Sequence, residues 1–358
     1  MNQDCLKLTV YFGERQRVGG RFYADELLDL FGQHELATSI LLRGIGGFGL
    51  RHHLRSDQFL SMSEDPSVIA VAVDRRERIE ALLTRLLQVR RRGLLTLERA
   101  RLLSDDLTSV DLPGTFESTK LTIYLGRQER VYRVPAYVAV CELLHRRGIA
   151  GASVLLGVDG TIRRDRRRAG FFDSNSDVPT MVVTVGSADR IAAVLPELGA
   201  LLVRPLLTVE RVRVCKRDGQ LLERPHALPG RDEHGLGLWQ KTTVHTSEST
   251  LYKGEPIHRA LIRRLRESTS ARGATAVRGV WGFHGDHAPH GDRFFQLGRR
   301  VPVVTTIVDT PDGIARSFGI VDELTREHGL VTTEMVPALL SVAEGAERGG
   351  LRLADHDY

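Results

Sequence analysis

Four groups of residues in this sequence could do chemistry. The first is a glycine-rich hexapeptide, Arg278-Gly279-Val280-Trp281-Gly282-Phe283, which recurs as Arg43-Gly44-Ile45-Gly46-Gly47-Phe48 and, decayed, as Leu156-Gly157-Val158-Asp159-Gly160. Successive backbone N–H groups beside Arg43 or Arg278 suit an oxyanion. The same glycines suit a strand exit with φ > 0, or a bulged strand end where sheets pack closely. Arg43, Gly44, Gly47, Phe48, Arg278, Gly279, Gly282 and Phe283 are therefore the candidate ligand-binding residues, with the middle copy silent or altered because Leu156 replaces the arginine.

The second group, His284, Asp286, His287, His290 and Asp292, lies in one short stretch, and His284, His287 and His290 could present imidazoles to a metal such as zinc. The third is a set of basic loops after the glycine motif: Arg51, His52, His53 and Arg55; Arg163, Arg164, Arg166, Arg167 and Arg168; and Arg293. These are either solvated loops or docking points for an acidic partner or a phosphate-rich ligand. The fourth is a repeated acid, Glu98, Glu210 and Glu334, placed on a strand and expected to make structural hydrogen bonds or surface pairs. No G-x-S-x-G elbow, Walker loop, H-E-x-x-H helix or dinucleotide fingerprint is present, so an enzyme is not expected.

Composition narrows the class. The 358 residues, 42% hydrophobic and 27% charged, fit a globular protein of two or three domains with a formal charge of +5. Cys5, Cys141 and Cys215 are odd in number, widely spaced and form no C-x-x-C pair, which argues against a disulfide framework, a zinc knuckle or an iron–sulfur site and for small core residues or inert surface thiols. No apolar run reaches the ~18 residues of a membrane span and the amino end lacks a signal-peptide pattern, so a cytoplasmic location is expected.

The elements that position these residues come in three copies. Lys7, Lys120 and Lys241 open them, and the motif glycines Gly44, Gly157 and Gly279 follow after 37, 37 and 38 residues. Pro66, Pro179 and Pro302 come 22, 22 and 23 residues later, then Glu98, Glu210 and Glu334 after 32, 31 and 32. A register held over four landmarks is an internal repeat. In the third copy Thr242 to Thr246 alternates as a strand, and Pro256 opens a helix with Ile257, Ala260, Leu261, Ile262 and Leu265 on one face. Ala274 to Val280 and Val303 to Val308 are further strands. Asp309 and Pro311 start a helix reaching about His328, and Leu330 to Met335 is the fourth strand.

The first copy has helices at Tyr23 to His34 and after Asp74, with Glu77 in the capping-box position; the second has them at Ala136 to Arg147 and Ala188 to Leu198. Each unit is therefore β-α-β-β-α-β, the split βαβ arrangement of α+β ferredoxin-like domains. Runs such as Ile69 to Val73 and Val182 to Val185 are apolar on both faces, so the open sheet faces are expected to meet in an intramolecular pseudo-trimer. The expected organisation is repeats at 1–104, 119–215 and 240–343, linkers at 105–118 and 216–239, and a mobile tail at 344–358.

The lysine-x-threonine openings, Tyr252 to Ile257, Gly273 to Phe283, Val308-Asp309 and Gly329 to Glu334 together resemble the PII-like family catalogued as domain of unknown function one-hundred-and-ninety. The resemblance spans all three repeats, best in the third and least in the middle. It implies a non-enzymatic regulator that binds a small anionic ligand, with an adenine nucleotide as the candidate, in clefts between ferredoxin-like units, and signals through loops to a partner. It also implies a membrane transport protein, such as a fluoride channel, as a conceivable partner. The lysine-bearing glycine loop of PII proteins proper has no counterpart: Arg92-Gly93, His328-Gly329 and Val203-Arg204-Pro205 stand there. The alternatives are an RNA-binding protein, a ligand-free scaffold and a metal-binding protein. Nucleic acid is not expected, because the strands lack the interleaved aromatics that stack bases.

Overall fold

A computed structural model describes residues 2–49, 55–56, 65–89, 92–104, 107, 110, 118–168, 178–285, 289–291, 301–343 and 346–356. Its main elements in the first repeat are β1 (Asn2–Gly13), α1 (Tyr23–Gln33), β2 (Thr38–Phe48), β3 (Ser67–Arg75), α2 (Arg76–Val89) and β4 (Gly93–Ser104). The second repeat has β5 (Ser118–Gly126), α3 (Ala136–Arg146), β6 (Gly151–Leu156), β7 (Asp159–Ile162), β8 (Pro179–Gly186), α4 (Ala188–Leu201) and β9 (Leu206–Arg217). The third has β10 (Trp239–Ser247), α5 (Ile257–Glu267), β11 (Ala274–Arg278), β12 (Trp281–His284), β13 (Pro302–Asp309), α6 (Pro311–Leu324) and β14 (Leu330–Val336), followed by β15 (Ala338–Ala343) and β16 (Ala346–Gly350).

Within the first repeat β2 pairs with β3, β3 with β1 and β1 with β4, all antiparallel; the other two repeats use the same order. Helices form where apolar residues recur at three- and four-residue spacing. Ile257, Ala260, Leu261 and Leu265 of α5 are buried against the sheet while its arginines face outward. The α6 start is capped by Thr310, whose hydroxyl accepts from the Gly313 N–H at 3.2 Å, with Pro311 next. Asp309 is not the cap; its carboxylate accepts from the N–H groups of Thr310 and Arg272, tying the strand end to the neighbouring β11. The helix stops at Leu324 rather than His328.

Each repeat has its own sheet–helix core, exemplified by Leu8, Leu27, Phe31 and Leu82 in the first. Opposite the helices the sheets share a further core of residues from all three repeats, among them Cys5, Ile40, Val71, Tyr124, Leu155, Val277 and Val304. Removing a large aliphatic side chain from water contributes about 1.5–3 kcal/mol, so this inner face is a principal reason the repeats associate. All three cysteines are buried in these cores, and burial pushes the Cys215 thiol up to about 11.

Strand pairing links the repeats into a closed ring. The end of β2 pairs with β11, β12 with β6, and β7 with the start of β2. The last strands also cross over: β9 pairs with β4 and then with β14, and β15 pairs with β4. The outcome is a mixed α/β molecule of three repeats with a large, continuous, predominantly antiparallel sheet and six main helices among the described residues.

Two expectations about connections are corrected. Residues 216–239 are not an exposed linker: Lys216, Leu228, Asp232 and Leu238 are buried, and Asp232 accepts from the N–H groups of His234, Leu236 and Asp355. The tail is not free either. β16 covers the edge of β15, Arg348 stacks over Trp239, and fully buried Ala354 donates its N–H to the Pro337 carbonyl while its own carbonyl accepts from the Arg99 guanidinium. An unpaired edge of β15 would leave backbone groups unsatisfied, and the tail supplies their partners. The 105–118 connection lies mostly outside the described residues; Leu107 within it is buried.

Candidate functional site

The three opening lysines and the three repeated glutamates converge on the axis around which the repeats close. In each repeat the lysine stands opposite its own glutamate on adjacent strands: Lys7 with Glu98, Lys120 with Glu210, Lys241 with Glu334. Each ammonium also reaches the next repeat's carboxylate. Lys7 pairs with Glu98 at 2.8 Å and with Glu210; Lys120 pairs with Glu210 at 3.0 Å and Glu334 at 2.6 Å; Lys241 pairs with Glu334 at 3.2 Å and with Glu98. The six form one alternating, charge-balanced ring, and all are buried. Sequence reading placed the glutamates in structural hydrogen bonds or surface pairs; the structural role stands, and the surface location does not.

Electrostatics inside the ring follow from burial and alternation. Burial opposes ionisation of Glu98 and Glu334, yet the surrounding lysines outweigh it and hold both carboxyls below their ordinary range. Burial likewise lowers the lysines, but Glu210 and Glu98 lift Lys7 well above its ordinary value, and Glu334 and Glu98 lift Lys241. Lys120 is the exception: desolvation outweighs Glu210 and Glu334, and its pKa falls. The glutamate oxygens lie within 4.8 Å of one another, a spacing that would suit a metal. The interleaved ammonium groups already supply the compensating charge, so the donor set does not fit a cation.

Of the readings offered for the glycine motif, the geometry matches the close packing of sheets. Gly44, Gly47, Gly279 and Gly282 do not have positive φ. What they provide is the missing Cβ. A Cβ on Gly47 would sit 2.6 Å from the Ala274 carbonyl oxygen, and one on Gly279 would sit 2.8 Å from that of Val154. The motif is the seam where one repeat's strand lies on the next repeat's edge. Its phenylalanines cross that seam: Phe48 enters the third repeat's core, and Phe283 enters the second's, edge-on to His145 with centroids 5.2 Å apart. Thr161 holds the equivalent position in the middle copy. Arg43 pairs with Glu14 at 2.9 Å, and Arg278 makes two bonds to Glu248 at 2.6 and 2.9 Å.

Beside these seams open clefts. Between repeats 1 and 3 a cavity of about 450 Å³ is lined by Tyr11, Phe48 and Trp239, by Gln16, Ser67, Thr275 and Ser341, and by Arg92, Arg272 and Arg348 with Asp65 and Asp309. The β15–β16 hairpin walls one side of it. Between repeats 3 and 2 the corresponding cavity of about 830 Å³ is lined by His245, His284, His290 and His328 with Ser153, Thr184, Ser249, Thr250, Gly282 and Phe283. Burial, with the Lys120 charge second, lowers His245 to about 4. Beside the third junction, where β7 pairs with β2, Arg163 ties together parts of its own repeat, bonding the Arg204 carbonyl at 2.7 Å and Glu129 at 3.2 Å.

Of the ligand residues expected from sequence, Phe48, Gly282 and Phe283 line clefts, while Arg43, Gly44, Gly47, Arg278 and Gly279 belong to the seams and their ion pairs. Among the metal candidates, His284 pairs with Asp218 and His290 lines the cleft opposite repeat 2; His287 lies outside the described residues. So do Arg51, His52, His53, Asp286, Asp292 and Arg293, and of Arg55, Arg166, Arg167 and Arg168 only the backbone is described. Sequence reading missed the lysine ring and the arginines and tryptophan of the first cleft. Equal lysine and glutamate spacing on strands apolar on both faces was the available signal for the ring.

Fold and site thus define a tandem-repeat α/β protein closed around a buried charged axis, with ligand-sized cavities at its junctions. The chain belongs to the DUF190 family, described as uncharacterised ACR, whose model matches residues 5–102, 118–214 and 239–338. It is 31% identical over 97 residues to a UPF0166 protein of Aquifex aeolicus (strain VF5), covering 27% of this chain and 89% of that protein. Aspartate kinase from Synechocystis aligns with 12% identity and a TM-score of 0.24 over 96% of this chain; the chain spans 46% of that structure, and likeness so low carries no argument. No helix among the described residues is long and apolar enough to cross a membrane.

Proposed function

We propose that this protein is a non-enzymatic, PII-like regulator in which three ferredoxin-like units act as an intramolecular pseudo-trimer. In this reading a small anionic ligand binds at the repeat 1–repeat 3 junction and alters the surface offered to a partner, with a membrane transport protein as the candidate. Support for the units comes from the strand order β2-β3-β1-β4, with a helix after the first and third strands of each repeat. The observation that carries the ligand is the cleft of about 450 Å³, which combines the aromatic surfaces of Tyr11, Phe48 and Trp239 with the guanidinium groups of Arg92, Arg272 and Arg348. A planar, phosphate-bearing molecule satisfies both halves of that lining, and an adenine nucleotide is the first of these to test. Nothing in the reading requires a bond to be made or broken.

Calorimetry of the intact chain against adenosine mono-, di- and triphosphates and cyclic adenine nucleotides tests it. The expected result is saturable binding of one member, with a change in tryptophan fluorescence and at least tenfold weaker affinity in Arg348→Ala. Absence of heat and of any fluorescence change across the panel would remove adenine-nucleotide sensing.

A further inference from the structure

The surface of repeat 2 around Arg163, beside its junction with repeat 1, is unlike the corresponding surfaces of the other two repeats. Each repeat has a tight hairpin before its first helix, and the three adopt the same left-handed backbone at the two tip residues. In repeat 1 these are Gly19 and Gly20, φ 55° and 88°; in repeat 3, Lys253 and Gly254, φ 50° and 84°; in repeat 2, Tyr132 and Arg133, φ 47° and 71°. The turn demands φ > 0 at both positions, which glycine meets without steric cost and a bulky residue does not. The sister repeats are the internal control: the geometry belongs to the fold, repeat 3 also has a non-glycine residue, Lys253, at the first tip position, and only repeat 2 bears side chains at both.

That strained tyrosine is 93% exposed. Val203, next to the residue whose carbonyl Arg163 grips, is 90% exposed. A second left-handed pair, Arg163 and Arg164 (φ 50° and 74°), joins the same place, because the Arg163 guanidinium bonds Glu129 at the base of the tyrosine hairpin and the Arg204 carbonyl beside Val203. Arg127, Arg130, Arg133, Arg164 and Arg204 are exposed around them, against Glu129, Asp165 and Glu35. Repeat 2 also carries the largest net positive charge of the three: 15 Lys and Arg against 9 Asp and Glu over 119–215, compared with 16 against 13 over 1–104 and 13 against 11 over 240–343.

Strain kept at an exposed position serves no packing purpose, and it sets the direction in which the aromatic side chain leaves the backbone. Tyrosine and arginine are also the residue types that dominate protein–protein hot spots. We infer that this vertex is a docking surface for an acidic segment of another protein that carries apolar side chains to meet Tyr132 and Val203. Charge complementarity brings the segment in, and the tyrosine and valine set its register. The inference is independent of what fills the other clefts.

The test uses the full chain and two labelled peptides of equal length and charge, one of glutamate and serine and one of glutamate and phenylalanine, followed by fluorescence anisotropy. The expected result is at least fivefold tighter binding of the phenylalanine peptide, a preference abolished by Tyr132→Gly and reduced by Val203→Ser. Tyr132→Gly relieves the strain, so its melting temperature is expected to rise by about 2 °C or more, which also shows that the variant folds. Equal affinity for the two peptides, a preference that survives both substitutions, or a lowered melting temperature in Tyr132→Gly would each overturn the inference. So would Tyr132-dependent binding to phosphatidylserine vesicles stronger than to either peptide, which would assign the vertex to a lipid surface.

Discussion

The axis and the junctions of this molecule obey opposite rules. At the axis the three repeats present the same lysine and the same glutamate, in the same register, in one unbroken ring. At the junctions the equivalent positions diverge: four residues beyond each ring lysine stand Tyr11, Tyr124 and His245, and the repeat 1–repeat 3 cleft holds arginine and aromatic groups where the repeat 3–repeat 2 cleft holds histidines. The ring tolerates no local change because each member serves two neighbours, whereas a junction is answerable only to what it contacts. Symmetry is kept where an error would propagate around the whole chain.

Breaking the ring should therefore produce the largest effect. Glu98→Ala leaves Lys7 and Lys241 buried with one carboxylate each, and is expected to cost about 3–5 kcal/mol in urea unfolding. Replacing all three lysines by methionine and all three glutamates by leucine should cost less than that single change, because no unpaired charge stays behind. A sextuple variant less stable than Glu98→Ala would show that the ring stabilises by more than mutual compensation. The pH window follows from the shifts. Glu98 and Glu334 are depressed, so their contribution is present above the ordinary carboxylate range of about 4.3 and is lost as pH falls through their folded values. Lys7 and Lys241 are raised, so theirs is present below about 10.4 and is lost as pH rises through their folded values.

The seams should respond less, and in a manner that separates them from the ring. Gly47→Ala would push a methyl against the Ala274 carbonyl, a backbone atom that cannot step aside, and is expected to cost about 1–3 kcal/mol. Gly49→Ala, two residues on and with open space around it, should change stability by less than about 0.5 kcal/mol. Equal effects at the two positions, measured by thermal unfolding, would mean that Gly47 is not a close-approach residue.

Much of this contrast was legible in the sequence, and the failures are instructive. The landmark spacing gave the repeats, and alternating and 3.6-residue patterns gave the strands and helices, because those patterns record which face meets the core. The same lysines and glutamates served as register marks without being recognised as partners. A cross-strand pair within one repeat can be read from a sequence; a bond from Lys7 to Glu210 depends on how three sheets turn toward one another. Gly47 and Gly282 looked like anion-holding loop residues because glycine signals permissive backbone and absent side chain alike. Only the position of Ala274 and Ala152 on the neighbouring repeats decides between the two. The tail and the 216–239 connection are polar in composition yet packed, since Asp232 and β16 satisfy edges that local composition does not reveal.

The smallest expected effect sharpens the comparison most, because it concerns a single position whose three copies differ. His245 occupies the place of Tyr11 and Tyr124, partly buried at the repeat 3–repeat 2 cleft, and its Nε2 has no hydrogen-bond partner among the described residues. Burial holds its pKa near 4, below the ordinary imidazole value of about 6.5. Between those values the unfolded chain takes up a proton that the folded chain refuses, so stability falls as pH drops from 6.5 toward 4. Tyr11 and Tyr124 are raised instead, also by burial, and stay neutral across that range. His245→Tyr should restore the symmetric residue and remove its part of the acid sensitivity, about 1 kcal/mol after allowance for partial solvent access, seen as a shallower decline in urea midpoint between pH 6.5 and 4.5. An unchanged slope would mean that the imidazole already gains a proton in the folded protein and that this cleft, unlike the axis, adjusts its charge at little cost.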